Sequence, residues 1–185
     1  MRKIDFNLNF QGFNNNEKIL VDTGIILALA NEYDSWHNTV KNLFEQYVIN
    51  EDDKPIFLFI NPTILNEITF LAGKPFESYK RKHPEIDLKE VNPLELIDLT
   101  VDKVKELIKN DVLQVASGNK NTVIKQLEVF KELGSADAVN ASIADHYNLS
   151  FLTVDNRLVN NMFKIRSKLR GVPRVYFTSS KHQSY

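Results

Sequence analysis

Three short runs, Ile19–Val21, Ile56–Ile60 and Phe151–Val154, are almost wholly apolar and rich in β-branched and aromatic side chains. Each is followed within a few residues by a longer helix-prone stretch: GIILALAN after Asp22, TILNEITFLA after Pro62, and a basic amphipathic segment after Asp155. Strands without alternation are buried on both faces, and a strand that returns through a helix pairs in parallel with its neighbour. Strands alternating with helices therefore place the chain in the α/β class, with a parallel or mostly parallel central sheet.

The other segments continue the alternation. Ile4, Phe6, Leu8 and Phe10 alternate with polar residues, the period of a half-buried strand, and Gln11–Asn16 reads as a turn. Residues 3–22 thus hold two strands, the first an edge strand added to the sheet. Spacing predicts helices over Gly24–Asn31, from Asp34 to about residue 49, and over Thr63–Ala72, Pro93–Lys109, Thr122–Leu133 and Ala136–Tyr147. A basic helix follows from about 157 to 170, then a last strand, Arg174–Thr178. Glu51–Lys54 is a polar break, residues 73–92 a short helix plus loop, and Asn110–Asn121 a turn region. With no repeat, low-complexity tract or linker, residues 1–185 are expected to form a single domain, residues 1–17 being an N-terminal extension.

Composition narrows the chemistry. There is no cysteine, hence no disulfide, no thiolate metal site and no cysteine nucleophile. No apolar run approaches the ~18–20 residues of a membrane span and the start does not read as a signal peptide, so a cytoplasmic protein is expected. The net charge of -1 hides an asymmetry. After Asp155 there is no acidic residue, while Arg157, Lys164, Arg166, Lys168, Arg170, Arg174 and Lys181 are basic. Such a segment attracts a polyanion, although a solvated helix face and tail have the same composition.

Two strands end in an aspartate, ILVD at Asp22 and FLTVD at Asp155. In open α/β sheets, ligands bind beyond the carboxyl ends of the strands. Glu67 lies a turn or so into the helix after the third strand, and Asp137 in the first turn of the helix after Gly134-Ser135. If both helices start at that edge, the four acids converge. Crowded carboxylates either shift their pKa values or hold a hard cation, and an oxygen-only donor set favours Mg²⁺ or Mn²⁺ over Zn²⁺. Singly, each acid has an ordinary use: Asp137 as a cap or dipole partner, Asp22 and Asp155 as turn formers, Glu67 as a surface side chain. Ser135 is read as a helix cap, with a substrate contact as the alternative. His37 is read as a helix-start residue and His146 as structural or exposed, Asp145 falls outside the acidic group, and Phe13 and Tyr33 are candidates for stacking on bases.

VDTGIILALAN (Val21–Asn31), NPTILNEI (Asn61–Ile68) and GSADAVNASIADHYNLSFLTVD (Gly134–Asp155) together resemble the PIN-domain nuclease family, over about three-fifths of the chain in separated blocks. The resemblance implies a three-layer α/β/α fold around a parallel sheet and Mg²⁺- or Mn²⁺-dependent hydrolysis of RNA phosphodiester bonds. It implies that Asp22, Glu67, Asp137 and Asp155 are the metal-binding and catalytic residues, with Thr23 and Thr153 supporting the site. Many small members are toxins of toxin–antitoxin pairs and commonly homodimers, which implies a cognate antitoxin as a partner. Arg157 stands where many members carry a further acid, which implies one or two ions, and the interval from Glu67 to Asp137 is longer than in the compact toxins. Arg157, Lys164, Arg166, Lys168 and Arg170 are the candidate contacts to a nucleic-acid backbone.

The alternatives within this pattern are a non-catalytic PIN-like binding or assembly module, against which the four retained acids speak, and a nuclease acting on DNA. A response-regulator phosphoacceptor would need an adjacent acidic pair after the first strand. A haloacid-dehalogenase-type hydrolase would need a second aspartate two positions after the first. Asp22-Thr23-Gly24 supplies neither.

Overall fold

Lys18–Val21 (β2) is the first strand to be fully enclosed, because Ile19, Leu20 and Val21 have no polar atom to offer water on either face. In the computed structural model, which describes residues 1–49 and 54–179, it lies inside a six-stranded sheet. The strands are Arg2–Asp5 (β1), β2, Phe57–Ile60 (β3), Leu113–Val115 (β4), Ser150–Leu152 (β5) and Arg174–Phe177 (β6), in the order β1-β6-β5-β2-β3-β4. Every pairing is parallel. The expected N-terminal edge strand is present, paired with β6. It is shorter than its alternation suggested. Asp5 accepts from the Asn7 backbone N–H and closes a turn, so that Phe6 is buried while Leu8 projects outward.

Helices Thr23–Ala30 (α1), His37–Phe44 (α2), Pro62–Leu71 (α3), Lys74–Lys82 (α4) and Pro93–Lys109 (α5) connect β2 to β3 and β3 to β4. Lys120–Leu133 (α6) and Ser135–Tyr147 (α7) lead to β5, and Asn156–Lys164 (α8) leads to β6. Helix contacts fall mainly into two groups, α1 with α2, α3 and α5, and α6 with α7 and α8, joined where α3 meets α7, and the fold is a three-layer α/β/α sandwich. The core fills both sides of β2 and β5, with Ile25, Ile26 and Ile64 in one group and Ala141, Ala144 and Leu158 in the other.

Several elements differ from expectation. The second helix gives way at Phe44 to a π-helical turn, Glu45–Ile49. The basic helix ends at Lys164 rather than 170, and the chain to Val172 runs in turns held by backbone bonds such as that from Lys168 N to Ile165 O. Strand β4 falls inside the segment read as a turn region; only Leu113 is buried at this sheet edge, so three residues carry no period. Glu51–Asp53, Ser180 and Lys181, part of the polar break and of the basic tail, lie outside the described residues.

At the amino ends of the strands sits a buried carboxylate that the sequence did not single out. Glu17 accepts hydrogen bonds from Ser150 Oγ, from Tyr176 Oη at 2.7 Å and from Arg174 at 3.1 Å, and so ties β2, β5 and β6 together. Burial alone would raise its pKa, but the hydrogen bonds from Ser150, Tyr176 and Asn14 outweigh it and hold the carboxyl below its ordinary value. Its contribution is therefore present at neutral pH and lost as pH falls through the carboxylate range. Glu17→Leu should lower the unfolding free energy by about 2–4 kcal/mol in urea titrations at pH 7, because donors from Asn14, Ser150, Arg174 and Tyr176 lose their acceptor, with a smaller loss at pH 3.

Candidate functional site

The chain leaves β2 toward β3 on one side and β5 toward β6 on the other, so the crevice between β2 and β5 is the switch point of the sheet. Their register sets Val21 opposite Leu152, which brings the next residues, Asp22 and Thr153, side by side. Thr153 Oγ1 donates to Asp22 Oδ2 at 2.6 Å and accepts from the Asp155 N–H at 3.0 Å. Asp22 is extended and caps α1, its Oδ1 accepting from the Thr23 N–H at 2.9 Å. Thr23 Oγ1 in turn donates to Glu67 Oε2 at 2.6 Å, fixing the α3 carboxylate beside the α1 start. Asp155 caps α8 by accepting from the N–H groups of Arg157 and Leu158.

The fourth acid arrives from the opposite layer. Gly134, at φ 94°, ends α6 and begins α7 without a side-chain cap. Ser135 is the first helical residue, so the expected capping role is not the one it has; it lines the groove beside Glu67 instead. Asp137 follows in the first turn. Asn61 anchors this arrangement: its Oδ1 accepts from the N–H groups of Thr63 and Ile64 at the start of α3, and its Nδ2 donates to Asn140 Oδ1 of α7 at 2.8 Å. Both amides are fully buried, and they lock the helix bearing Glu67 to the helix bearing Asp137. Neither amide is singled out by the sequence: an Asn before Pro at a helix start is the available signal for Asn61, and nothing local marks Asn140.

Asp22, Glu67, Asp137 and Asp155 all line one cavity of about 200 Å³, together with Thr23 and Arg157 and apolar walls from Leu27, Trp36, Leu71 and Val154. Gly24 permits the closure, since a Cβ there would stand 3.0 Å from Val154 Cγ2. Burial raises the Asp22 carboxyl to about 6 against the pull of Thr153 and Thr23, with Glu67 and Asp155 adding repulsion. Burial, then the charges of Asp22, Asp155 and Glu67, raise Asp137 to about 7, partly relieved by Arg157. Asp137 accepts no hydrogen bond from the described residues, which leaves its oxygens the most available in the cavity. Among the described residues, no three carboxylate or imidazole groups gather as a ready-made ligand set for one ion.

The basic residues are dispersed. Arg157 lines the cavity. Lys164 reaches Asn161, Arg166 packs over the Phe163 ring, Lys168 pairs with Glu132 at 2.9 Å, and Arg170 turns back to the Ser167 carbonyl. Arg174 belongs to the Glu17 network. Because α8 starts at the site and runs to Lys164, Lys164 stands at its far end and Arg166, Lys168 and Arg170 lie past it, and of these basic residues only Arg157 lines the cavity with the acids. Phe13 is buried in an aromatic cluster with Phe10 and Tyr176, so it is not available to stack on a base, whereas Tyr33 remains half-buried at the surface. His37 begins α2 and bonds the Ala28 carbonyl, while Asp145 holds the Gly171 N–H.

With this geometry in place, the comparisons with known proteins concern the fold. No protein-family model and no curated protein matches the chain. Among solved structures, the chain is similar to one from the crystal structure of VapBC2 from Rickettsia felis bound to a DNA fragment from their promoter. The TM-score is 0.51 at 16% identity, over 86% of this chain and 98% of that one. The shared feature is the three-layer architecture. No helix among the described residues is long and apolar enough to cross a membrane.

The raised carboxyls have a stability consequence. Between pH 4 and pH 7 the folded chain holds protons on Asp22 and Asp137 that the unfolded chain has released, so stability falls as pH rises through that window. Asp137→Asn should therefore stabilise the fold by about 1–3 kcal/mol at pH 8 in EDTA, and flatten the dependence of Tm on pH, as read by thermal unfolding from pH 4 to 8.

Proposed function

We propose that the chain is a divalent-metal-dependent ribonuclease of the PIN-domain type, hydrolysing RNA phosphodiester bonds. The observation that carries this is the meeting of Asp22, Glu67, Asp137 and Asp155 in one cavity at the switch point of the sheet, with Asp22 and Asp137 raised to about 6 and about 7 by burial and, after it, by the neighbouring acids. A protein gains nothing in stability by such a cluster, and a cation is the species that would relieve it. The oxygen-only donors fit Mg²⁺ or Mn²⁺, which take one or two carboxylates directly and complete their shell with water. That coordination does not require three side chains to converge beforehand. When bound, one or two such ions would activate a water for in-line attack at phosphorus and neutralise the charge that develops there.

The chain's own residues prepare the site. Thr153 and the Thr23 N–H orient the two oxygens of Asp22, and Thr23 Oγ1 holds Glu67, so both carboxylates are positioned before any ligand arrives. Asp137, the carboxyl with no donor among the described residues, takes the ion or a proton in exchange. Arg157 offers a cation to a substrate phosphate at the cavity mouth. The apolar walls of Leu27, Trp36, Leu71 and Val154 limit solvent around the acids and strengthen every interaction within.

Asp22→Asn should abolish Mn²⁺-dependent cleavage of single-stranded RNA with the circular dichroism spectrum unchanged; retained cleavage by that variant would sink the proposal. Parallel assays on DNA of the same sequence, with and without EDTA, discriminate a nuclease for DNA from one for RNA. Because Asp22 and Asp137 must lose protons to bind a cation, Mn²⁺ affinity should rise steeply from pH 6 to about 8 and level off above, measured by calorimetry on the protein alone.

The toxin role, with a cognate antitoxin, is part of the same proposal and rests on the PIN resemblance. So does a homodimer, for which α6 provides a surface. Val123, Ile124, Leu127 and Phe130 form an exposed stripe along this helix, Leu127 being 66% exposed. Beside it, Lys125 pairs with Glu128 and Lys168 with Glu132, which reduces the charge a second copy would meet there. Leu127→Asp should convert a dimer to a monomer in sedimentation velocity without lowering Tm; a wild-type chain that sediments as a monomer would remove the homodimer from the proposal.

A further inference from the structure

The Glu32–Trp36 loop has two faces. Trp36 walls the acidic cavity, while Tyr33 and Ser35 line a separate groove of about 340 Å³ whose opposite wall is α4, through Ser78, Tyr79, Lys82 and His83. Inside it a run of rings extends from the core to solvent. Tyr33 packs edge-on against buried Phe76 at 5.0 Å and against Tyr79 at 5.2 Å, and Tyr79 lies tilted against His83 at 4.5 Å. The inner end is fixed by the core, and Tyr33, Tyr79 and His83 remain half-buried, with ring surface left to the groove. At the same helix end stand Lys80, Arg81 and Lys82, exposed and without an ion pair among the described residues.

We propose that this groove binds an unpaired stretch of RNA, stacking a base on Tyr33 and Tyr79 while Lys82 and Arg81 hold the flanking phosphates. Rings presented beside a cationic strip are the physical requirement for single-stranded nucleic acid, because every base has a π-face and every linkage a charge. Exposed Glu32 and buried Asp34 line the Tyr33 side and Glu85 faces His83, so the phosphates run along the side of Lys82, which lines the groove, with exposed Arg81 next to it at the same helix end. The loop shared with the acidic cavity makes the groove an approach to the cleavage site, a role that rests on the nuclease function proposed above. It also supplies what α8 does not, since the basic residues after Arg157 point away from the acids. The bland use of Lys80–Lys82, as cations at a helix C-terminus, accounts for the charges but not for the open rings beside them.

Fluorescence anisotropy in EDTA, with a labelled single-stranded RNA of about 12 nucleotides as the probe, tests the groove without cleavage. Tyr79→Ala should weaken binding roughly tenfold and Tyr79→Phe should restore it. Lys82→Glu with Arg81→Glu should weaken binding further and reduce the slope of log K against log salt by about 1.4. Binding to a duplex of the same sequence should be unaffected by Tyr79→Ala. Wild-type affinity in both the Tyr79→Ala and the Arg81/Lys82 variants, with Tm unchanged, overturns the proposal, as does a wild-type chain that does not bind the single strand. Failure of the nuclease function is read separately, as an absence of Mn²⁺-dependent cleavage by a wild-type chain that still binds the RNA through the groove.

Discussion

The parallel pairing of β2 with β5 is the contact on which the rest of the molecule turns. It joins a strand near the beginning of the chain to one near its end, and its register puts Asp22 against Thr153. From that one alignment follow the cap on α1, the position of Thr23, and through Thr23 the hold on Glu67. Slipping the pair by one residue would turn Asp22 away from Thr153 and carry the buried apolar side chains of both strands to the wrong faces.

The two ends of the sheet handle buried carboxylates in opposite ways. At the amino ends, Glu17 is surrounded by donors from Ser150, Tyr176 and Arg174, and its hydrogen bonds outweigh the cost of burial. At the carboxyl ends, four acids share one cavity with Arg157 as the cation lining it, and Asp22 and Asp137 are driven toward their protonated forms. The first arrangement stabilises the fold and is chemically closed. The second works against the fold, and perturbed carboxyls gathered in a cleft mark a candidate functional site.

Much of the architecture could be read locally. The α5 helix spans Pro93–Lys109 as its periodicity indicated, because Asn92 and Pro93 mark its start and its apolar face repeats without interruption. Strand β4 could not be read, since an edge strand of three residues with one buried side chain has no pattern to detect. The basic helix was overestimated because charge continues past Lys164 while the helical hydrogen bonds do not. Ser135 was taken for a cap because serine before an apolar helix usually is one; Gly134, already turned to positive φ by the end of α6, occupies that position.

By itself the sequence determined which residues stand out as candidates: acids at the ends of apolar strands and at helix starts are conspicuous, because a charge next to a buried run needs a reason to be there. Tertiary structure decided whether they meet. Thr153 reaches Asp22 across 131 positions, Asn61 reaches Asn140 across 79, and Thr23 reaches Glu67 across 44. Those contacts depend on strand order, which periodicity does not encode, since any order of parallel strands buries the same apolar faces. The order β5-β2-β3 places the switch point at Asp22, and there burial, joined by repulsion among the acids, raises the Asp22 and Asp137 carboxyls.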